Sequence, residues 1–271
     1  MLMNPKNDKF DIIILAGQSN ASGCGWGETT MPWEINPKIK MLRGRMSVAF
    51  GVDNDYDRSG MKIDCVQEYW VVDADERWDS EEKINQGVLA LQFAKAYCEN
   101  NLQNDRKILI VDNALGGTSF SKGHWAVGDL LYSRLFKITD EALSMNPENK
   151  VVAVLWHQGE SDVEQMSPQS YKDHILALIE NIRTAYGNVP FISGGFVDDW
   201  ANFCPRSSDY ENIYKELVGQ VKRYGFASAK GLLSNDQVVG RGGSIHFSKE
   251  SINLLGKRYY NEYEKILKEK L

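Results

Sequence analysis

Two hydrophobic periods alternate along this chain, and few architectures accept both. Apolar runs of strand length stand at Phe10 to Ala16, Lys107 to Val111, Val151 to Trp156 and Pro190 to Ser193, each ending in Gly, Asn or polar residues. Such runs fit strands buried on both faces. Between them apolar residues recur at helical spacing, as Ala90, Phe93, Ala94 and Tyr97, and again as Tyr171, Ile175, Leu178, Ile179 and Ile182. Ser167 before Pro168 makes an N-cap and first-turn pair for the second of these helices. Ser248 is placed to cap a last helix that turns Ile252, Leu255, Tyr259 and Ile266 inward. The alternation predicts an α/β fold with a central parallel sheet covered by helices on both faces, where ligands collect at the carboxyl ends of the strands.

A length of 271 residues suits one large α/β domain, 1–271, and can bury a core of adequate size. The stretch from Asn20 to about Asn85, rich in Gly, Asp and Trp, breaks the regular pattern and reads as a long excursion. The four cysteines, Cys24, Cys65, Cys98 and Cys204, are scattered singly, so neither a zinc site nor a disulfide framework is expected. A net charge of -6 argues against a nucleic-acid partner bound by general electrostatics. The apolar run Ile12 to Leu15 is too short for a signal-peptide core, and nothing reaches membrane-spanning length, so the expectation is a soluble protein without a membrane partner, cytoplasmic by default.

Four segments carry polar residues where a packed core would not ask for them. The first strand runs into Gly17-Gln18-Ser19-Asn20-Ala21-Ser22-Gly23, which sets Ser19 on a tight turn at a strand's carboxyl end. Ala21 stands where the α/β-hydrolase elbow requires glycine, so that motif fails, and a capping serine is the structural alternative. After the strand at 107–111 comes Asp112-Asn113-Ala114-Leu115-Gly116-Gly117-Thr118-Ser119, whose paired glycines can aim backbone N–H groups into a cleft. No Walker lysine follows and no GxGxxG spacing exists, which sets a phosphate cradle aside. The third segment, Trp156-His157-Gln158-Gly159-Glu160-Ser161-Asp162, gathers an amide, a glycine and two carboxylates at one strand end. The fourth, Gly242 to Ser248, sets His246 just before the capped last helix.

In this order, GQSNASG, NALGGTS, WHQGESD and SIHFS resemble the blocks of the SGNH hydrolase superfamily, in the branch of carbohydrate esterases that includes sialate O-acetylesterases and family 6 acetylxylan esterases. The resemblance spans Gly17 to Ser248. It implies a flavodoxin-like three-layer α/β/α sandwich and hydrolysis of O-acetyl esters on sugars through an acyl-enzyme, with no cofactor and no metal. It makes Ser19 the nucleophile and His246 the general base, with the N–H groups of Ser19 and of Gly117 or Gly116, and the Gln158 amide, forming the oxyanion hole. The superfamily usually carries aspartate three residues before the histidine, and Gly243 stands there. Glu160 is therefore taken as the acid, with Asp162 and Asp236 as alternatives and a Ser-His dyad oriented by a backbone carbonyl as the last.

Seven tryptophans are many for this length, and Trp26, Trp125 and Trp200 lie in loop segments near these blocks, where they are candidates to stack on a sugar or simply to pack the core edge. Arg241 is a candidate for a substrate carboxylate. The acidic stretch Asp53 to Gly60 lacks the glycine and terminal glutamate of a calcium loop and reads as a solvated turn. Cys24, close to Ser19 but without a basic partner, reads as a structural thiol. Two rival functions remain at this level: a lipid or thioester hydrolase of the same fold, and a catalytically silent carbohydrate-binding protein.

Overall fold

The computed structural model describes residues 7–44, 47–49, 62–64 and 69–269. The strands are β1 (Lys9–Gly17), β2 (Ile39–Gly44), β3 (Ser47–Ala49), β4 (Lys62–Asp64), β5 (Tyr69–Asp73), β6 (Arg77–Asp79), β7 (Ile84–Gln86), β8 (Arg106–Asp112), β9 (Lys150–His157), β10 (Phe191–Gly194) and β11 (Tyr224–Ala227). The helices are α1 (Ser19–Ser22), α2 (Leu89–Asn100), α3 (Leu130–Ser144), α4 (Pro168–Tyr186), α5 (Asp198–Ala201), α6 (Ser207–Leu217), α7 (Asn235–Val239) and α8 (Lys249–Lys268).

Seven strands form the central sheet in the order β11-β10-β9-β1-β8-β2-β5. All neighbours run parallel except β5, which closes one edge antiparallel to β2. The period of two in β1 explains the layers. Phe10, Ile12, Ile14 and Ala16 enter one core with α3, α4 and α6, while Ile13 and Leu15 enter the other with α2 and α8. Helices thus cover both faces, as the alternation of patterns requires. Where α8 crosses α2, a Cβ at Gly256 would lie 2.5 Å from the Leu89 carbonyl oxygen, so only glycine allows that approach.

Both expected caps are present: Ser167 accepts from the Ser170 N–H ahead of Pro168, and Ser248 accepts from the Ser251 N–H. The only polar side chain of β1 directed into the core, Asp11, is 1% exposed and fully engaged. It pairs with Arg106 Nε at 2.7 Å and accepts from the Tyr97 hydroxyl at 2.7 Å, which satisfies a charge that would otherwise be costly to bury. The excursion contributes β2 and β5 to the sheet and the short β6–β7 hairpin beside it. The stretch Asp53 to Gly60 and Cys65 lie outside the described residues. Among the described residues no helix is long and apolar enough to cross a membrane.

Candidate active site

The turn after β1 is built by close approach of two strands. Gly17 has φ +129°, and a Cβ there would lie 2.0 Å from the His157 carbonyl oxygen at the end of β9. Glycine is therefore required by both the backbone conformation and the space. Gln18 N–H donates to that same His157 oxygen at 2.9 Å. Ser19 then opens α1, 8% exposed, with its Oγ 3.1 Å from His246 Nε2.

The loop carrying His246 is held at many points. Its approach, α7, begins in a capping box between Ser234 and Gln237 and ends at Gly240 in the left-handed region. Gly242 follows with φ +97° and turns its carbonyl onto the imidazole, 2.9 Å from His246 Nδ1. A carbonyl only accepts, so Nδ1 carries the proton and the Nε2 lone pair faces the Ser19 hydroxyl. Asp236 Oδ1 accepts from the Gly243 N–H at 2.9 Å, and Asn235 N–H donates to the His246 oxygen at 2.8 Å. Asn20 grips the two residues flanking His246: its Nδ2 donates to the Ile245 oxygen at 2.9 Å and its Oδ1 accepts from the Phe247 N–H at 3.2 Å.

None of the three carboxylates considered for the acid touches His246 Nδ1. Glu160 Oε1 accepts from Asn20 Nδ2 at 2.8 Å and lies 3.4 Å from His157 Nε2. Burial pushes the Glu160 carboxyl up, but His157 and Asn20 outweigh it and hold the group below its ordinary range. Asp162 accepts from the N–H groups of Phe120 at 3.0 Å and Ser121 at 2.8 Å, which ties down the loop after the glycine pair. Asp236 is occupied by Gly243. The expected contact of Glu160 with His246 is thus replaced by an indirect one through Asn20, because the Gly242 carbonyl fills the position.

Gly116 and Gly117 do lie beside Ser19. A Cβ on Gly116 would come within 3.3 Å of Ser19 Cβ, and Leu115 N–H donates to the Gly17 oxygen at 3.0 Å. Among the described residues, the backbone N–H groups of Ser19, Gly116 and Gly117 have no acceptor in the protein. Gln158 departs from expectation. It is fully buried, its Nε2 donates to Asp162 Oδ2 at 2.7 Å and its Oε1 accepts from the Tyr171 hydroxyl at 2.9 Å, so its amide is turned inward, away from an oxyanion.

Of the candidate sugar platforms, Trp125 is 0% exposed and donates through Nε1 to Thr118 Oγ1 at 3.0 Å, bracing the glycine turn from behind. It cannot meet a substrate. Trp200 is half-buried, edge-on to Phe196. Trp26 is half-buried under the Arg241 guanidinium, 5.4 Å from its ring centre, and Arg241 is itself paired with Glu82 at 2.8 Å. Burial pushes the Cys24 thiol up to about 11, which leaves it inert near neutral pH. Asn20, His157 and Asn235 were not assigned roles from sequence. Asn20 carried the one available signal, its place in the GQSN block.

An arrangement of this kind, a hydroxyl on an oriented imidazole beside free N–H groups, suits acyl transfer. A probable carbohydrate esterase of Arabidopsis thaliana is 29% identical over 219 residues, 69% of this chain and 71% of that one. A probable 9-O-acetyl-N-acetylneuraminic acid deacetylase of Escherichia coli is 29% identical over 140 residues, 42% of each chain. In fold, the crystal structure of NanS matches with TM-score 0.74 at 20% identity, covering 97% of this chain and 99% of that one. A carbohydrate acetylesterase from Xanthomonas citri matches with TM-score 0.64 at 15% identity, over 94% of this chain and 56% of that one. The model of the carbohydrate esterases described as sialic acid-specific acetylesterases matches residues 9–265, nearly the whole chain, and the protein belongs to that SASA family of carboxylic ester hydrolases.

Proposed function

We propose that the chain removes O-acetyl groups from sugars by a serine acyl-enzyme mechanism, with Ser19 as nucleophile and His246 as general acid and base. The observation that carries this reading is the 3.1 Å contact of Ser19 Oγ with His246 Nε2, in the tautomer set by the Gly242 carbonyl. His246 takes the Ser19 proton as Oγ attacks the acetyl carbonyl, then returns it to the departing sugar oxygen. Water, deprotonated by the same nitrogen, then attacks the acetyl-serine and releases acetate.

The developing oxyanion is met by the N–H groups of Ser19, Gly116 and Gly117, which have no other partner to give up. The imidazolium that forms is oriented and stabilised by the Gly242 carbonyl, so the catalytic unit is a dyad. Glu160 acts through Asn20 as a positioning residue rather than as the third member of a triad. The missing aspartate at Gly243, the best support for a silent binding protein, loses its force once a carbonyl serves that position. Acetylated sialic acids suit the naming of the family and of the E. coli relative, and acetylated xylan is the competing substrate.

The test is acetate release from p-nitrophenyl acetate and from acetylated sugars, with Ser19→Ala beside the wild type, together with mass spectrometry of quenched turnover. A 42 Da adduct on the Ser19 peptide, about the mass of one acetyl group replacing a hydrogen, is expected. Equal rates in the two proteins would end this reading.

A further inference from the structure

Beneath the Ser19 turn, His157 and Glu160 face one another with side chains 0% and 1% exposed, and no step of acyl transfer at Ser19 uses either as acid or base. His157 Nδ1 lies 3.1 Å from the Tyr259 hydroxyl of α8, and that hydroxyl donates to the Trp156 carbonyl oxygen at 2.7 Å. A phenol has one proton to give and a carbonyl only accepts. Toward His157 the Tyr259 oxygen is therefore an acceptor, and Nδ1 carries a proton. Gly194 at the end of β10 keeps space for this contact, since a Cβ there would lie 2.8 Å from His157 Nδ1.

The second ring nitrogen decides the charge. Nε2 faces Glu160 Oε1 at 3.4 Å and has no other polar partner among the described residues. With Nδ1 protonated, a neutral ring would turn the Nε2 lone pair onto a carboxylate, setting two acceptors against each other in a buried space. One proton must therefore lie between Glu160 and Nε2. Burial raises the Glu160 carboxyl, but the imidazole and the Asn20 amide outweigh it and hold the group below its ordinary range, which leaves that proton on His157. No lysine or arginine among the described residues pairs with Glu160, so His157 is its counter-ion.

The charge matters because it orients Asn20. Its Nδ2 donates to both Glu160 Oε1 and the Ile245 oxygen, while its Oδ1 accepts from the Phe247 N–H. Turned over, the amide would face its oxygen to two acceptors and its nitrogen to a donor. An ionised Glu160 is the strongest of the three groups that forbid this. Phe247 also stands edge-on to the His157 ring, with centroids 5.7 Å apart.

We propose that His157 is a positioning residue for ester hydrolysis: as a buried imidazolium it keeps Glu160 ionised, and Glu160 holds Asn20 in the orientation that grips the peptides on both sides of His246. The inference rests on Ser19 and His246 being the catalytic pair. Removing one member of a buried ion pair strands the other's charge, whereas removing both strands none. Substitutions at the two positions therefore fail to add, and in a definite direction.

The experiment joins a double-variant cycle on p-nitrophenyl acetate, with His157→Gln, Glu160→Gln and the two together, to NMR of the imidazole nitrogens in the wild type and in Glu160→Gln. His157→Gln is expected to lower kcat by about 100-fold, the cost of a misplacement of about 1 Å, with KM changed far less. Adding Glu160→Gln to it should restore kcat by about 10-fold, because the stranded carboxylate is gone. Losses that simply multiply, as for a histidine that only packs, overturn the proposal. In the NMR spectrum at neutral pH both His157 nitrogens of the wild type should be protonated, and Nε2 should lose its proton in Glu160→Gln. A bare Nε2 in the wild type overturns the proposal whether or not His157→Gln folds, as does an Nε2 that keeps its proton in Glu160→Gln. Failure of the serine reading is separately visible, as p-nitrophenyl acetate hydrolysis unchanged by Ser19→Ala.

Discussion

The Asn20 amide donates to the Glu160 carboxylate at 2.8 Å, and the same side chain holds the backbone immediately before and after His246. One residue next to Ser19 therefore sets the height of the imidazole over the Ser19 hydroxyl. A misplacement of about 1 Å at such a site is enough to cost about 100-fold in rate. Asn20→Ala is expected to lower kcat on p-nitrophenyl acetate by about that factor, with KM changed far less. It should also destabilise the fold by about 1–3 kcal/mol, because Ile245, Phe247 and Glu160 lose buried partners. Steady-state kinetics and urea unfolding check the two halves, and undiminished kcat would show that His246 is positioned without Asn20.

Glu160→Gln separates a direct acid from a positioning residue. The glutamine keeps an oxygen for Asn20, so the loop around His246 stays braced while the charge beside His157 is removed. The expected loss in kcat is about 10-fold, against at least about 1000-fold for Ser19→Ala or His246→Ala. A loss from Glu160→Gln as deep as that from His246→Ala would restore Glu160 to a triad.

The strands legible in the sequence were those buried on both faces. β1, β8, β9 and β10 read as continuous apolar runs, whereas β2 carries Lys40 and Arg43 and pairs with β5 through a stretch of irregular composition. β11 is four residues long with a glycine at its second position, too brief for a period to register. At the site, block order was enough to bring Ser19, His246 and the glycine pair together, because a parallel sheet collects its strand ends on one edge. The partner of His246 was not legible. It depends on Gly242 taking φ +97° and turning a carbonyl toward the ring, a backbone choice that composition does not encode. Of the two readings open for Trp125, a sugar platform or packing at the core edge, the structure shows packing: the indole is buried against Trp156 rather than facing solvent.

Gly17→Ala probes the contact between β1 and β9. The added methyl meets the His157 oxygen at 2.0 Å, and the residue must hold φ +129°. The combined strain and clash should cost at least about 3 kcal/mol. Any folded protein that remains should have lost activity, since Ser19 moves with the turn. Urea unfolding read by tryptophan fluorescence measures the cost, and a change under about 0.5 kcal/mol, the size of an ordinary surface substitution, would contradict the close approach.

The lowered pKa of Glu160 makes a statement about stability as well as about charge. Its ordinary value is 4.5, and in the fold His157 and Asn20 together outweigh the effect of burial and hold it lower. Folded protein therefore binds fewer protons at this group than unfolded protein does in the range between the two values. A depressed carboxyl contributes stability that is fully present above the unfolded value and is lost as pH falls through the folded one. Glu160→Gln removes the group from this linkage. The difference in urea stability between wild type and Glu160→Gln should accordingly be constant above about pH 5.5, one unit above the ordinary value, and should shift against the wild type as pH drops below 4.5. A difference that stays flat from neutral pH through pH 3 would mean that the Glu160 carboxyl titrates alike in both states, and that neither Asn20 nor His157 holds its charge.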